Sequence, residues 1–293
     1  MAEPKEMPGS TGVSSSRTRS ELSRRVGSAL VLGLAALLAA YQGGVLFASF
    51  WLLAALAILL EWTTVTGAAP RLPLAAMGGA GLLALGAATQ GWIGPLALAL
   101  LLVACGAGAA FLARTRGDRV WAVAGFAYAA VIAVVPPLVR DDPGLGLVAF
   151  LWMLAVVWST DIAAYFVGRR FGGPKLWPKV SPKKTWSGFC GGVAAGTAAG
   201  TAVAALGARY GWTPPGGLFA VGLLSAAAAA LSQLGDLAES AWKRRFGVKD
   251  SSHLIPGHGG VMDRLDAFWA VAALMGLFLI AHKTSGAAAG AVP

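Results

Sequence analysis

VGSALVLGLAALLAAYQGGVLFASFWLLAALAILL, residues Val26–Leu60, runs for 35 positions without a charged side chain. A helix needs about 20 mostly apolar residues to cross a bilayer core of about 30 Å, so this stretch suits two crossings better than one. Tyr41-Gln42-Gly43-Gly44 interrupts it near the middle, which predicts a tight helical hairpin. The pattern then repeats along the chain. Leu72–Ala113 is uncharged for 42 residues and broken near Thr89-Gln90-Gly91, giving two more helices. Val120–Val139, Pro143–Gly168, Gly188–Ala208, Gly217–Leu234 and Ala267–His282 each read as one span. Pro136-Pro137 should distort the end of the first of these. The expected fold is all-α, a polytopic membrane protein of about nine transmembrane helices.

Composition agrees. The 293 residues are 57% hydrophobic and 12% charged, and a soluble domain carries roughly twice that share of charge. Disorder is excluded, because it needs low hydrophobicity. Outer-membrane barrels alternate polar and apolar residues, and no such alternation occurs. A net charge of +10 would suggest nucleic acid on a soluble protein, but here it follows position and no nucleic-acid partner is expected. With the N-terminus cytoplasmic, every one of the 23 Lys and Arg residues except Arg140, Arg209 and Lys283 falls on the inner side. That orientation also puts the charged loops 169–187 and 235–266 on one face. Residues 1–25, with Arg17, Arg19, Arg24 and Arg25, read as a disordered cytoplasmic tail. Residues 26–283 read as one transmembrane catalytic domain and 284–293 as a short tail. Cys105 and Cys190 sit in apolar runs and read as small buried hydrophobes. Gly192, Gly196 and Gly200 form two overlapping G-x-x-x-G units suited to close helix packing, within this chain or with another.

Charge is scarce, so its placement is informative. Five of the 13 acidic residues fall between Asp236 and Asp266. Asp236, Glu239, Ser240 and Lys243 share one face if the eighth helix continues past Leu234. The run passes Arg244, Arg245, Lys249 and Asp250, reaches Pro256-Gly257-His258-Gly259-Gly260, and ends in Asp263-Arg264-Leu265-Asp266. Carboxylates among Lys and Arg at a membrane surface suit Mg²⁺ shared with substrate phosphates. Glycines let the backbone approach phosphate oxygens. A solvated loop whose acids balance its bases has a similar look, but Asp266 beside an apolar helix weighs against it. The other loop carries six bases and no acid between Arg169 and Lys184, a phosphate-facing surface. Asp161, inside the sixth span, is either a functional intramembrane acid or one paired with a loop lysine.

Ser240-Ala241-Trp242-Lys243-Arg244, Lys249-Asp250 and Ile255-Pro256-Gly257-His258-Gly259-Gly260-Val261-Met262-Asp263-Arg264-Leu265-Asp266 together resemble the signature of the phosphatidate cytidylyltransferases (CDP-diacylglycerol synthases) over 27 positions. Trp242 departs from the family, which usually has an aliphatic residue or Phe there. A looser match covers Asp161–Gly168 and Ser181-Pro182-Lys183-Lys184-Thr185; Ser187 stands where the family often has Glu and is given no catalytic role. The resemblance covers roughly the C-terminal half, with the site within 159–268; the first 150 residues match only as apolar helices. It implies an inner-membrane enzyme with its site facing the cytoplasm and membrane lipid, a homodimer. Its reaction would join CTP and phosphatidic acid into CDP-diacylglycerol and pyrophosphate with Mg²⁺, and a second cation has room. The family's metal-binding aspartates carry over to Asp236 and Asp263.

The residues fit such a reaction. Lys243, Arg244, Lys249 and Arg264 would offset phosphate charge. His258 would donate to a phosphate, act as a proton shuttle or steady the turn, and Asp250 and Asp266 would bind a second cation or anchor the bases. Asp161, Ser181, Lys183, Lys184, Thr185, Ser240, Gly259 and Gly260 are the expected substrate-binding positions. The nearest alternative is a CTP-dependent kinase acting on a polyprenol. A transporter would instead place polar residues in broken helices at the membrane middle.

Overall fold

The computed structural model describes residues 27, 31, 33–214, 216–255 and 259–289, with backbone alone over the last eight. The tail at 1–25, His258 and the side chain of Lys283 lie outside the described residues. The elements are α1 (described over Gly33–Gln42), α2 (Gly44–Thr66), α3 (Arg71–Thr89), α4 (Pro95–Leu112), α5 (Arg116–Asp141) and α6 (Gly146–Phe171). A hairpin follows, β1 (Lys175–Trp177) and β2 (Ser181–Thr185), then α7 (Trp186–Arg209), α8 (Gly217–Arg245) and α9 (Met262–Ala289). Among the described residues, α2 to α9 are long and apolar enough to cross a membrane. The protein is an all-α, multi-pass membrane protein.

The α1–α2 break falls where the sequence puts it. Gly43 and Gly44 take φ of 69° and 55°, left-handed values that cost glycine little. Arg140 then ties down the exposed carbonyls at the end of α1, its Nε donating to Ala40 at 2.5 Å and its Nη2 to Tyr41 at 3.1 Å. The prolines of α5 lie inside the helix, which continues through Pro136 and Pro137 to Asp141 with both residues buried. Neighbouring helices support the freed carbonyls of a transmembrane helix and make such prolines tolerable. α9 likewise continues to Ala289, beyond the expected end of its span.

The glycine pattern of α7 acts within the chain. A Cβ on Gly188 would meet the Ala164 carbonyl oxygen at 2.7 Å, and one on Gly192 the Thr160 oxygen at 2.8 Å. One on Gly196 would meet Ala229 of α8 at 2.8 Å, and one on Gly200 the Trp152 indole of α6 at 2.7 Å. The four glycines are all buried, a seam into which α6 and α8 settle backbone-close. Cys190, on the other side of α7, is exposed and Cys105 half-buried, so neither is the core residue expected. An apolar run inside a membrane has a lipid face as well as a protein face, and hydropathy does not distinguish them.

Two aromatic groups fill the centre. Trp51 of α2 stacks on Phe268 of α9 at 4.8 Å, and Phe47 meets Phe150 of α6 edge-on at 4.8 Å. Nearer the charged loops, Trp62 stacks on Trp242 at 4.4 Å and donates its indole N–H to the Trp121 carbonyl at 2.9 Å. By contrast α4 buries no residue at all.

The loop after α6 is not featureless. Gly172 and Gly173, at φ 61° and 96°, reverse the chain into the antiparallel hairpin β1–β2. Its last residue, Thr185, is buried and caps α7 by accepting from the Gly188 N–H at 3.2 Å. Ser187 donates to the Gly172 carbonyl at 2.5 Å, a holding contact for the same turn.

Candidate active site

α8 supplies the first part of the site. At 29 residues and 1.5 Å per residue it is about 43 Å long, well beyond the hydrocarbon thickness. Its last turns therefore stand clear of the core and carry Asp236, Glu239, Ser240 and Lys243 along one face, as the spacing predicts. Gly235 makes the neighbouring approach of α9 possible, since a Cβ there would meet the Asp266 carbonyl oxygen at 2.9 Å.

Lys243 is the hub. Its Nζ lies 2.8 Å from Asp263 Oδ1 and 3.1 Å from Glu239 Oε2. Both carboxylates are nearly closed off, with side chains 4% and 2% exposed, so the cation between them is what makes their burial tolerable. Asp263 also accepts the Ser251 N–H at 2.9 Å and the Gly260 N–H at 2.8 Å. It thus ties both sides of the signature turn to α8. Glu239 has fewer partners: its Oε2 meets the Lys243 ammonium, and the Asp266 carboxyl lies against it.

Across the signature segment the Ile255 N–H donates to the Gly259 carbonyl at 2.8 Å. Gly259 has φ 83°, and a Cβ on it would meet Asp263 Oδ2 at 2.8 Å. No larger residue fits between the turn and that carboxylate. Gly260 is closed in by a residue the sequence reading passes over. A Cβ there would meet Glu61 Oε1 at 2.7 Å. Glu61, on α2, is 4% exposed and accepts from Ser251 Oγ at 3.1 Å, Ser252 Oγ at 2.7 Å, and the Val261 and Met262 N–H groups at 2.8 Å each. It anchors the loop and caps the N-terminus of α9, where the helix dipole favours a negative charge. The signal was available: Glu61 is the first charge after the 35 uncharged residues from Val26.

A polar cavity of about 710 Å³ opens beside these groups. Asp161, Arg169, Lys175, Lys183, Lys184 and Asp236 supply its charged walls, with Thr185 and Gln233 between them. Lys184 Nζ bonds Asp236 Oδ2 at 2.7 Å, and Ser240 donates to Asp236 Oδ1 at 3.3 Å. The basic hairpin and α8 therefore meet at Asp236. Asp161 is not paired with a lysine among the described residues; it faces the cavity unbonded. Ser181 is half-buried on the hairpin.

The two metal-ligand expectations stand in different settings. Asp236 is 31% exposed on the cavity wall, while Asp263 is buried, does not line the cavity, and already accepts three donors. Arg244, Lys249, Asp250 and Arg264 are exposed around the turn. Of these, Arg244 donates to the Val248 carbonyl at 3.3 Å. Trp242, the departure from the signature, packs away from the cavity in the aromatic group with Trp62.

Comparison with known proteins extends well beyond this site. A protein named phosphatidate cytidylyltransferase from Brucella suis is 43% identical over 259 residues, covering 88% of this chain and 93% of its own length. One of the same name from Haemophilus influenzae is 38% identical over 162 residues, 52% of this chain and 55% of its own. The Bacillus subtilis protein so named is 40% identical over 133 residues, 44% of this chain and 46% of its own. The likeness is thus not confined to the C-terminal half, as the motifs alone suggested, since the family model also takes in α1 to α5. That model, described as the cytidylyltransferase family, matches residues 23–282, and this chain belongs to that family.

Proposed function

We propose that this chain transfers the cytidylyl group of CTP to phosphatidic acid, releasing pyrophosphate and forming CDP-diacylglycerol for phospholipid synthesis. The 43% identity over 88% of the chain to a protein named phosphatidate cytidylyltransferase carries the reading. The basic cavity beside a buried carboxylate cluster supports it.

An ionised phosphate oxygen of phosphatidic acid attacks the α-phosphorus of CTP in line. A P–O bond forms there as the bond to the α–β bridging oxygen breaks, and pyrophosphate leaves with that electron pair. The nucleophile is already charged at neutral pH, so no serine, cysteine or strong base is needed. Arg169, Lys175, Lys183 and Lys184 line the cavity and offset charge on the polyphosphate. Lys243 and the Asp263 carboxylate hold the signature turn, around which Lys249 and Arg264 add charge.

In this reading the enzyme uses Mg²⁺, with Asp236 the accessible carboxylate and Asp263 exchanging its Lys243 contact for the ion. That ion is ordinarily held by one or two carboxylates with substrate phosphates completing its shell. Asp236, on the cavity wall, and Asp263 would provide them, and the ion would supply neutralisation of the phosphate charge as it shifts. A second cation would sit at Asp266 beside Glu239, whose Oε2 is already paired with Lys243. In this reading the protein is a homodimer in the inner membrane, N-terminus inside, and the cavity opens to the cytoplasm.

The test uses purified protein in lipid nanodiscs with Mg²⁺, phosphatidic acid and CTP labelled at the α- or γ-phosphorus. Label from the α position should enter lipid with pyrophosphate released. Label from the γ position entering a polyprenol would replace this reading with a lipid kinase. Folded protein that moves neither label would end the enzyme reading.

A further inference from the structure

A shallow cleft of about 80 Å³, sharing no residue with the polar cavity, lies between α3, α4 and α5. Leu74 and Gly78 line it from α3, Leu102 and Ala109 from α4, and Val123 and Phe126 from α5. No side chain lining it is charged. α4 buries none of its residues and Val123 is 65% exposed, so the cleft opens onto the surface that faces lipid.

One end of this cleft is strongly basic. Arg71 precedes Leu74 and Gly78 by three and seven residues, and Arg119 precedes Val123 and Phe126 by four and seven. Each arginine therefore heads the helical stripe that lines the cleft. Two backbone ties bring these helix starts together. Ala69 donates its N–H to Asp118 Oδ1 at 2.9 Å, and its carbonyl accepts the Arg114 N–H at 3.2 Å. Arg71, Arg114, Arg116 and Arg119 are all exposed, and among the described residues none of them forms an ion pair. Asp118, the only acid in residues 71–140, is spent on the loops. Besides the Ala69 N–H it accepts the Thr115 N–H at 2.9 Å and the Thr115 hydroxyl at 2.7 Å. α3 also begins here with no side chain capping its first N–H groups, which adds to the attraction for an anion.

These helix starts lie where the apolar spans end, the level at which a bilayer presents its phosphates. We propose that the basic end of the α3–α5 cleft binds an anionic diacyl phospholipid other than the reacting lipid. Its phosphate lies between Arg71 and Arg119, and one acyl chain runs along the cleft against α4. A zwitterionic lipid offers the same chain without the net charge, and a soluble phosphate offers the charge without the chain. The site adjoins the catalytic part through Trp121, the neighbour of the cleft residue Ala122. Trp121 meets Phe246 edge-on at 4.9 Å, and the Arg245 guanidinium lies over its ring at 5.8 Å. A lipid seated in the cleft therefore braces the start of α5 against the end of α8. This binding is independent of the reaction proposed above and is read without turnover.

The test is native mass spectrometry of the purified protein with dioleoyl phosphatidylglycerol, dioleoyl phosphatidylcholine and glycerol 1-phosphate. Phosphatidylglycerol should be retained in preference to phosphatidylcholine, and glycerol 1-phosphate not at all. Arg71→Gln and Arg119→Gln should each weaken the tightest phosphatidylglycerol about fivefold, and the pair roughly thirtyfold. Both side chains are exposed and outside any ion pair, so the variants keep the fold and their unfolding temperature in detergent. Arg209→Gln, at the far end of α7, should change nothing. Equal losses in that variant, unchanged binding in the pair, or retention of glycerol 1-phosphate matching that of the lipid overturns the site. Photocrosslinking with a diazirine-bearing phosphatidylglycerol then locates the chain. Label on residues 102–109 and 122–126 that excess phosphatidylglycerol removes, and phosphatidylcholine does not, supports the proposal. Label there that both lipids remove alike, or no label there, overturns it.

Discussion

The α6–α7 seam and the α3–α4 hairpin are both rich in glycine, yet glycine does different work in each. At the seam an added Cβ would strike backbone: the Ala164 oxygen from Gly188, the Thr160 oxygen from Gly192. In the hairpin it would strike the ends of side chains, Leu59 from Gly78 and Met77 from Gly108. The first kind of contact cannot relax and the second can. The rigid one borders the polar cavity, whose wall includes Gly168 and Gly188. The loose one contains α4, which buries nothing. The chemistry stands on the half of the molecule whose helices are fixed by their backbones.

The largest effect should come from the chemistry at the end of that fixed half. Asp263→Asn should cost turnover on the order of 10³-fold, as expected where a charge meeting the reacting phosphates is lost. Label transfer from CTP measures it. Near wild-type activity would sink the metal assignment for Asp263. Next comes the direct contrast. Gly192→Val drives methyl groups into the Thr160 carbonyl and should cost about 3 kcal/mol, the upper part of the usual range for overpacking. Gly108→Ala meets only Met77 Sδ at 2.7 Å, the movable end of a flexible chain, and gains about 1 kcal/mol of helix propensity. Thermal unfolding of the two in the same detergent should show a large drop for the first and little change for the second. Equal shifts would mean that the seam is no more rigid than the hairpin.

Glu61 marks where the two halves are joined. It belongs to α2, on the hairpin side, but its four donors all come from the signature loop and the start of α9. Glu61→Gln keeps one acceptor oxygen and turns the other into a donor facing donors. A loss of about 2 kcal/mol is expected from buried groups left unsatisfied. kcat should fall with it, because Ser251, which Glu61 holds, donates its N–H to Asp263. Glu61→Asp, which keeps the charge, should recover part of both. A Gln variant with unchanged kcat and unfolding temperature would show that α2 does not govern the site.

What was legible in the sequence follows the same division. Span count, the Gly43-Gly44 break and the helical face of Asp236 through Lys243 depend on local hydropathy and spacing, and these the chain displays openly. The partner of the α7 glycines, the exposure of Cys190 and the continuation of α5 through Pro136 and Pro137 depend on which face meets protein and which meets lipid. Hydropathy is alike on both. The β1–β2 hairpin was hidden for a different reason: a lysine- and proline-rich loop has little strand propensity, and its shape comes from the Gly172-Gly173 reversal and the Thr185 cap. Glu61 stands outside the runs of charge, yet a single carboxylate ending an apolar helix is the stronger sign.

The smallest effect concerns the one departure from the family signature. Trp242 stacks on Trp62 at 4.4 Å, a contact between the two halves just behind the site. Its indole N–H is buried without an acceptor, while that of Trp62 has the Trp121 carbonyl. Trp242→Phe therefore does two opposed things. It removes part of a stacked ring and leaves a small void, costing about 1–2 kcal/mol. It also removes a buried unsatisfied donor, which returns about 1–3 kcal/mol. The two nearly cancel, so unfolding temperature and turnover should both stay close to wild type. A large loss of turnover at unchanged stability would mean that the position carries more than packing, and that the aromatic contact transmits the placement of Lys243 to the signature turn.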